Sequence, residues 1–335
     1  MIPGTQNPTL PMPATHAAIA VIVPTRNRPC ELFALLRSVA TQHTLPEQIV
    51  VVDQSAEEQA AAVYEALCPA LEKGLRLDYR WTPGLSGAAA ARNRGLERAQ
   101  GDIVVFLDDD DVLEPDFFEA LAQAYAQHPE AAGIGGVVTN FRLPSRARRM
   151  WEWLFQRGAF RDNRYEIYRH GATRTYAVDR MTSNAMSFRA AWLEGLQFEE
   201  SLPGAGVEDI EFCFRLPPGA LMLIAPQVRL RHDKTPTARP REPWLQQHSQ
   251  AGSFLYWRHW RERWRERCAY QWLSLGWAGW ALAAMLKHQS LEPWRHLAQG
   301  RREGRRLARQ AQERVTAACN PMMPTRAPFP AERVS

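Results

Sequence analysis

Asp108, Asp109, Asp110 and Asp111 close the apolar run Ile103-Val104-Val105-Phe106-Leu107. Four adjacent like charges repel one another, so a buried strand that delivers them together needs a neutralising partner. A hard divalent cation such as Mn²⁺ or Mg²⁺, which prefers carboxylate oxygens, suits that role. The carboxyl end of a strand is also where open α/β sheets bind ligands. A solvated acidic loop is the alternative. Further on, Glu208 and Asp209 form a second acidic group with Glu211. A carboxylate there could take a proton from an attacking hydroxyl, or simply complement the positive end of a helix. His232 follows the strand-like Val228-Arg229-Leu230 and could be a metal ligand or a structural residue.

The elements that must position these groups read as an α/β domain. Ile19 to Val23 is a continuous apolar run ending at Pro24, as expected of a buried parallel strand. Leu32, Leu35, Leu36 and Val39 mark a helical stripe. Ile49 to Val52 is a second strand ending in Asp53, and Leu75 to Tyr79 a weaker one. A helix over Ala88 to Ala99 precedes the strand at Ile103 to Leu107. Pro115 opens a helix running to about Ala126, with Asp116 near its positive end. Ile134 to Val138, Met186 to Phe188 and Leu221 to Ala225 complete the strands, with a helix from about Val207 to Leu216. This order predicts a mostly parallel sheet with flanking helices. Residues 141–182 break the pattern and read as an insertion over one end of the sheet.

Five segments recur in a known order: VIVPTRNRP at 21–29, VVVDQS at 50–55, ARNRGLERAQGDIVVFLDDDD at 91–111, SNAMSFR at 183–189 and VEDIEFCFRL at 207–216. Together they resemble an inverting family 2 glycosyltransferase of the Rossmann-like GT-A fold, over roughly residues 18–235. The resemblance implies a nucleoside diphosphate sugar donor, with UDP-sugar favoured. It makes Asp53 the reader of the base, with Pro24, Thr25 and Arg26 lining it and Arg92 contacting the nucleotide. The family's DXD element falls on Asp108 and Asp110, because positions one and three of an extended segment share a side. Asp110 is expected to touch the metal, with Asp108 on the ribose or on metal-bound water, and His232 is a further metal contact. Asp109 and Asp111 are less defined: Asp109 is assigned to the substrate side, or one of the two caps the next helix. Asp209 is the implied catalytic base, and Glu208 helps to bind the acceptor. Asn184 belongs to the sugar site, where Ser183 stands in place of the glycine frequent in relatives. The QxxRW element of processive synthases is absent, which favours transfer of single sugars.

Composition sets the surroundings. The chain has 335 residues, 45% hydrophobic and 23% charged, with five cysteines, none in a CxxC pair. This is a globular composition without a disulfide framework, and it fits a reducing cytosol. Residues 1–17 carry no basic start or apolar core and read as a disordered leader. Net charge is +5, yet Arg229 to Arg314 holds 18 Lys and Arg against 7 Asp and Glu, a local +11 that leaves −6 elsewhere. The basic region, residues 236–317, reads as a helical extension. Trp257, Trp260 and Trp264 share a helical face among arginines, and Ala269 to Leu286 has no charge. Three readings stay open for it: a helix lying on the cytoplasmic face of the inner membrane, a core or oligomer helix, and a membrane span. The first would place the enzyme peripherally beside a glycan or lipid-linked acceptor. No nucleic-acid motif accompanies the arginines. Residues 318–335 are Pro-rich and read as a disordered tail.

Two other functions compete. A metal-dependent nucleotidyltransferase would also pair an α/β sheet with acids, but PTRNRP lacks the glycines of a phosphate loop. A catalytically inactive nucleotide- or glycan-binding protein would be expected to have lost part of the Asp53, Asp108–Asp110 and Asp209 set.

Overall fold

The computed structural model describes residues 17–161, 173–202, 207–233 and 243–319. The expectations for residues 1–16 and 320–335 lie outside the described residues. The chain divides into two compact units, Met1–Pro243 and Trp244–Ser335.

In the first unit the elements are β1 (Ile19–Thr25), α1 (Pro29–Ala40), β2 (Gln48–Asp53), α2 (Ala60–Leu71), β3 (Arg76–Trp81), α3 (Ala88–Leu96), β4 (Ile103–Phe106), β5 (Asp111–Leu113), α4 (Phe117–Gln127), β6 (Ala131–Val138), α5 (Arg146–Phe155), β7 (Tyr176–Val178), β8 (Met186–Arg189), α6 (Glu208–Phe214) and β9 (Leu221–His232). The described strands form one sheet in the order β3-β2-β1-β4-β8-β6-β9-β5, with β7 also on β9. The β3-β2-β1-β4 half is parallel. Beyond β4 the pairing changes: β8 is antiparallel to both β4 and β6, and β9 is parallel to β6 but antiparallel to β5 and β7. The sheet is thus mixed, and its direction reverses beside β4, the strand that leads into the aspartates.

Alternation across the pleat makes two cores. Val21, Val23, Ile49, Val51 and Val105 pack with the stripe of α1 and with Val63 and Leu67 of α2. Ile22, Val50, Val52, Val104 and Phe106 pack on the opposite side with Phe188, Phe198 and Phe212. Phe198 and Phe212 stack with ring centroids 4.1 Å apart. Each such fully buried side chain stabilises the fold by roughly 1.5–3 kcal/mol. Helix α3 comes unusually close to the sheet, because a Cβ on Gly95 would stand 2.3 Å from Ile22 Cγ2. That approach brings Arg92, three residues earlier, down to the strand ends.

The second unit contains α7 (Trp244–Leu255), a π-helical turn (Tyr256–Trp260), α8 (Trp264–His288) and α9 (Glu292–Cys319). Gly300 and Gly304 let α9 lie on the backbone of α7: a Cβ on either would meet the carbonyl of Gln246 or Gln250 at 2.3 Å. Trp277 of α8 covers Gly252 of α7, and Tyr256 stacks on Tyr270 at 4.1 Å. The expected shared face of Trp257, Trp260 and Trp264 does not form. The chain turns extended at Arg263, leaving Trp260 buried and Trp264 68% exposed at the start of the next helix. The spanning reading of Ala269 to Leu286 also fails: among the described residues no helix is long and apolar enough to cross a membrane.

Candidate active site

The acidic tetrad does not continue a strand. β4 stops at Phe106, and Asp111 N–H donates to the Asp108 carbonyl (3.1 Å), closing a turn before β5. The Asp111 carboxylate accepts from Asp108 N–H (2.8 Å), which tightens that turn. An alternating strand would have paired Asp108 with Asp110 by register; here the turn does so. Neither Asp109 nor Asp111 caps α4, whose first residue is Phe117.

Each aspartate faces a different partner. Asp108 accepts from Arg92 Nη2 (2.7 Å), Ser183 Oγ (3.0 Å) and Asn184 Nδ2 (3.2 Å). Asp109 accepts from Thr25 Oγ1 (2.9 Å) and Arg28 Nη1 (2.7 Å), which ties it to the end of β1 and the loop that follows. Asp110 lies 3.3 Å from both Arg28 Nη1 and His232 Nδ1. Asp111 sits opposite His232 in the β5–β9 ladder, with its carboxylate 2.9 Å from the ring nitrogen. Asn184 Nδ2 is within 3.2 Å of Asp108, Asp111 and His232.

Asp108, Asp110 and His232 each offer one ligand atom, and these atoms lie within 4.8 Å of one another. Counted as ionised, the six carboxylates of Asp108–Asp111, Glu208 and Asp209 face two guanidinium groups, those of Arg28 and Arg92, leaving −4 before His232 is included. Burial pushes Asp109 up to about 6 and Asp111 up to about 7. Burial also opposes charge on Asp108, but Arg92 and His232 outweigh it and hold that carboxyl below the usual range. Two carboxylates and one imidazole around a strongly negative, desolvated centre fit Mn²⁺ or Mg²⁺.

The Glu208–Asp209 pair is joined to this cluster. Arg92, buried on α3, reaches Asp108 with one nitrogen and Glu208 with the other (3.2 Å). Ser183 donates its hydroxyl to Asp108 and its backbone N–H to Asp209 (3.0 Å). Asp209 is 3% exposed, and burial together with Glu208 pushes its carboxyl up to about 6, against the pull of Arg92. Glu208 and Asp209 do occupy the first turn of α6, but their carboxylates also face the cluster. Ala185, next to Asn184, has φ +57°, a left-handed conformation that is strained for alanine.

The remaining predicted residues lie at the ends of β1 and β2. Pro24 and Thr25 are buried at the end of β1 and Arg26 is exposed. Asp53 is fully buried and accepts from Ser55 N–H (2.8 Å), Gln59 N–H (3.0 Å) and Tyr79 Oη (2.6 Å). These donors make it the cap of the β2–α2 loop. Two residues escaped the sequence reading. Arg28 bridges Asp109 and Asp110; its only signal was a place in the loop between β1 and α1. Asn93 clamps Phe198 through a donor–acceptor pair with its backbone, N–H to Oδ1 at 2.6 Å and Nδ2 to C=O at 3.0 Å.

Comparison with known proteins identifies the family and the fold. Residues 20–192 match the family model for glycosyl transferase family 2. The chain is 32% identical over 240 residues to the succinoglycan biosynthesis protein ExoM of Rhizobium meliloti, covering 70% of this chain and 72% of that protein. Among solved structures it resembles the mannosyltransferase PcManGT of Pyrobaculum calidifontis, in complex with GDP-Man and Mn²⁺. That match has a TM-score of 0.52 at 20% identity and covers 92% of this chain and 88% of that one. S. aureus TarS 1–349 in complex with UDP-GlcNAc gives a TM-score of 0.53 at 17% identity, covering 90% and 92%. The chain therefore belongs to glycosyl transferase family 2 and is a glycosyltransferase built on the GT-A fold.

Proposed function

We propose that this enzyme moves one sugar from a nucleoside diphosphate sugar to an acceptor hydroxyl with inversion at the anomeric carbon. The observation that carries the reading is the double link, through Arg92 and Ser183, between Asp108 and the Glu208–Asp209 pair. One sugar ring can then meet both groups. Asp108, Asp110 and His232 would hold Mn²⁺ or Mg²⁺, which when bound offsets the charge that grows on the departing diphosphate. Asp209 takes the proton of the acceptor hydroxyl as it attacks, and Glu208 orients that hydroxyl. Asn184 and Asp109 line the sugar and diphosphate. Pro24, Thr25 and Arg26 frame the base, beside a loop held in shape by Asp53. Attack opposite the diphosphate gives inversion.

A nucleoside diphosphate sugar donor is supported by the GDP-Man complex of PcManGT and the UDP-GlcNAc complex of TarS 1–349, and a UDP-sugar is the form we favour. The name of ExoM, a succinoglycan biosynthesis protein, supports a cell-surface glycan or glycolipid product. A glycan or lipid-linked acceptor at the cytoplasmic face of the membrane suits the basic second unit. Nucleotide sugars should be screened for thermal stabilisation and donor consumption, with and without Mn²⁺. One nucleotide sugar should stabilise the protein only with metal, and Asp209→Asn should keep that stabilisation while losing transfer. Stabilisation indifferent to a chelator would remove the metal from the scheme, and full transfer by Asp209→Asn would remove the base.

A further inference from the structure

Helix α8 is apolar on two sides, and one of them is buried inside its own unit. Tyr270, Leu273, Ser274, Trp277 and Ala281 are buried, and the Tyr270 hydroxyl bonds Ser253 Oγ at 2.8 Å. The opposite side carries Trp272 (42% exposed), Leu275 (61%), Leu282 (53%) and Leu286 (74%). Their steps of three, seven and four residues place them along one stripe of a helix. Cys268 is exposed on the same stripe, and Gly279 in its middle faces open space. From Cys268 to Leu286 the stripe runs roughly 27 Å at the helical rise and bears no charge. A continuous exposed apolar face of that kind marks an interaction site.

Charge selects the occupant. Arg261, Arg263, Arg265 and Arg267 are all exposed around Trp264, and with Glu262 and Glu266 they leave +2 at the amino end. Lys287, Glu292 and Arg295 leave +1 beyond the carboxyl end, beside the exposed Trp294. Two copies pairing through the stripe would set basic ends against basic ends, whether parallel or antiparallel. An anionic surface meets both ends favourably, and tryptophan at the ends of an apolar stripe suits the boundary between headgroups and acyl chains. We infer that the Cys268–Leu286 side of α8 is an in-plane docking face for an anionic phospholipid bilayer. This deepens the membrane-face part of the proposed function and rests on it.

The test is co-sedimentation of the full-length protein with vesicles of phosphatidylcholine alone or with about 30% phosphatidylglycerol. Binding should require the anionic lipid, fall as salt is raised from 0.05 to about 0.5 M as screening predicts, and blue-shift tryptophan emission. The pair Leu275→Glu and Leu282→Glu, both at exposed positions, should lower partitioning by about tenfold or more with an unchanged thermal transition. Unchanged stabilisation of that variant by UDP with Mn²⁺ would show that docking has failed while the transferase site is intact. Equal binding to neutral vesicles, absence of binding to either, or a dimer in solution that the two substitutions dissociate would each overturn the inference.

Discussion

At the scale of single residues the site is a set of carboxylates kept apart in role by their neighbours. Asp209, with its carboxyl pushed up to about 6 by burial and Glu208, is protonated in a growing fraction of molecules as pH falls through that value. A general base must be ionised, so kcat should rise between pH 5 and 7 and level above. A flat profile across that range would exclude it as the base. Asp209→Asn should lower kcat by about 10²–10⁴-fold, the usual share of a positioned base, and steady-state kinetics on the identified donor would measure it. Arg92→Met leaves the part-buried Asp108 and the buried Glu208 without their shared counter-charge. Breaking a buried pair of this kind costs about 3–5 kcal/mol, so the urea midpoint should drop sharply. Asp108, Asp110 and Asp209 were legible in the sequence because acid spacing is a visible signal. Ser183 as a link was not, since half of its role belongs to a backbone N–H that every residue but proline carries. Arg28 was equally hidden, because only the folded loop tells it from Arg26 two positions away.

At the scale of elements, legibility followed burial. β1, β2 and β4 are buried on both faces and read as unbroken apolar runs. β3 lies at the sheet edge with exposed Arg76, Arg80 and Trp81, so its pattern was faint. β5 spans three residues, beginning with the last aspartate of the tetrad, and only its partner β9 makes it a strand. The change from parallel to antiparallel pairing beyond β4 had no local signal, because strand direction is decided by the connections. Close helix approaches were hidden in the same way. Gly95 reads as a helix weakness until Ile22 is seen beneath it. Gly95→Ala should therefore lower stability by about 1–3 kcal/mol, although alanine favours helix, because overpacking outweighs propensity. Gly300→Ala and Gly304→Ala should do the same to the α7–α9 pair. Circular dichroism melts would read both effects, and a gain in melting temperature for any of them would contradict the packing described.

At the scale of the whole molecule the parts differ in what they ask of the solvent. The first unit concentrates negative charge around Asp108, Asp110 and His232, so Mn²⁺ should stabilise the native protein, by about 2.7 kcal/mol at a hundredfold excess over the dissociation constant. Chelation should reverse this, and Asp110→Asn should abolish most of it in a thermal-shift titration. Equal stabilisation of Asp110→Asn would move the ion elsewhere. The double tie through Arg92 and Ser183 has a consequence for engineering new specificities. The Glu208–Asp209 side of the cluster is no interchangeable cassette: a graft of residues 173–216 from another transferase would replace at once Ser183, a partner of Asp108, and Glu208, the second carboxylate on Arg92. Successful chimeras, and natural recombinants, should have their crossover points outside the stretch from 91 to 216, exchanging both halves of the reaction centre together.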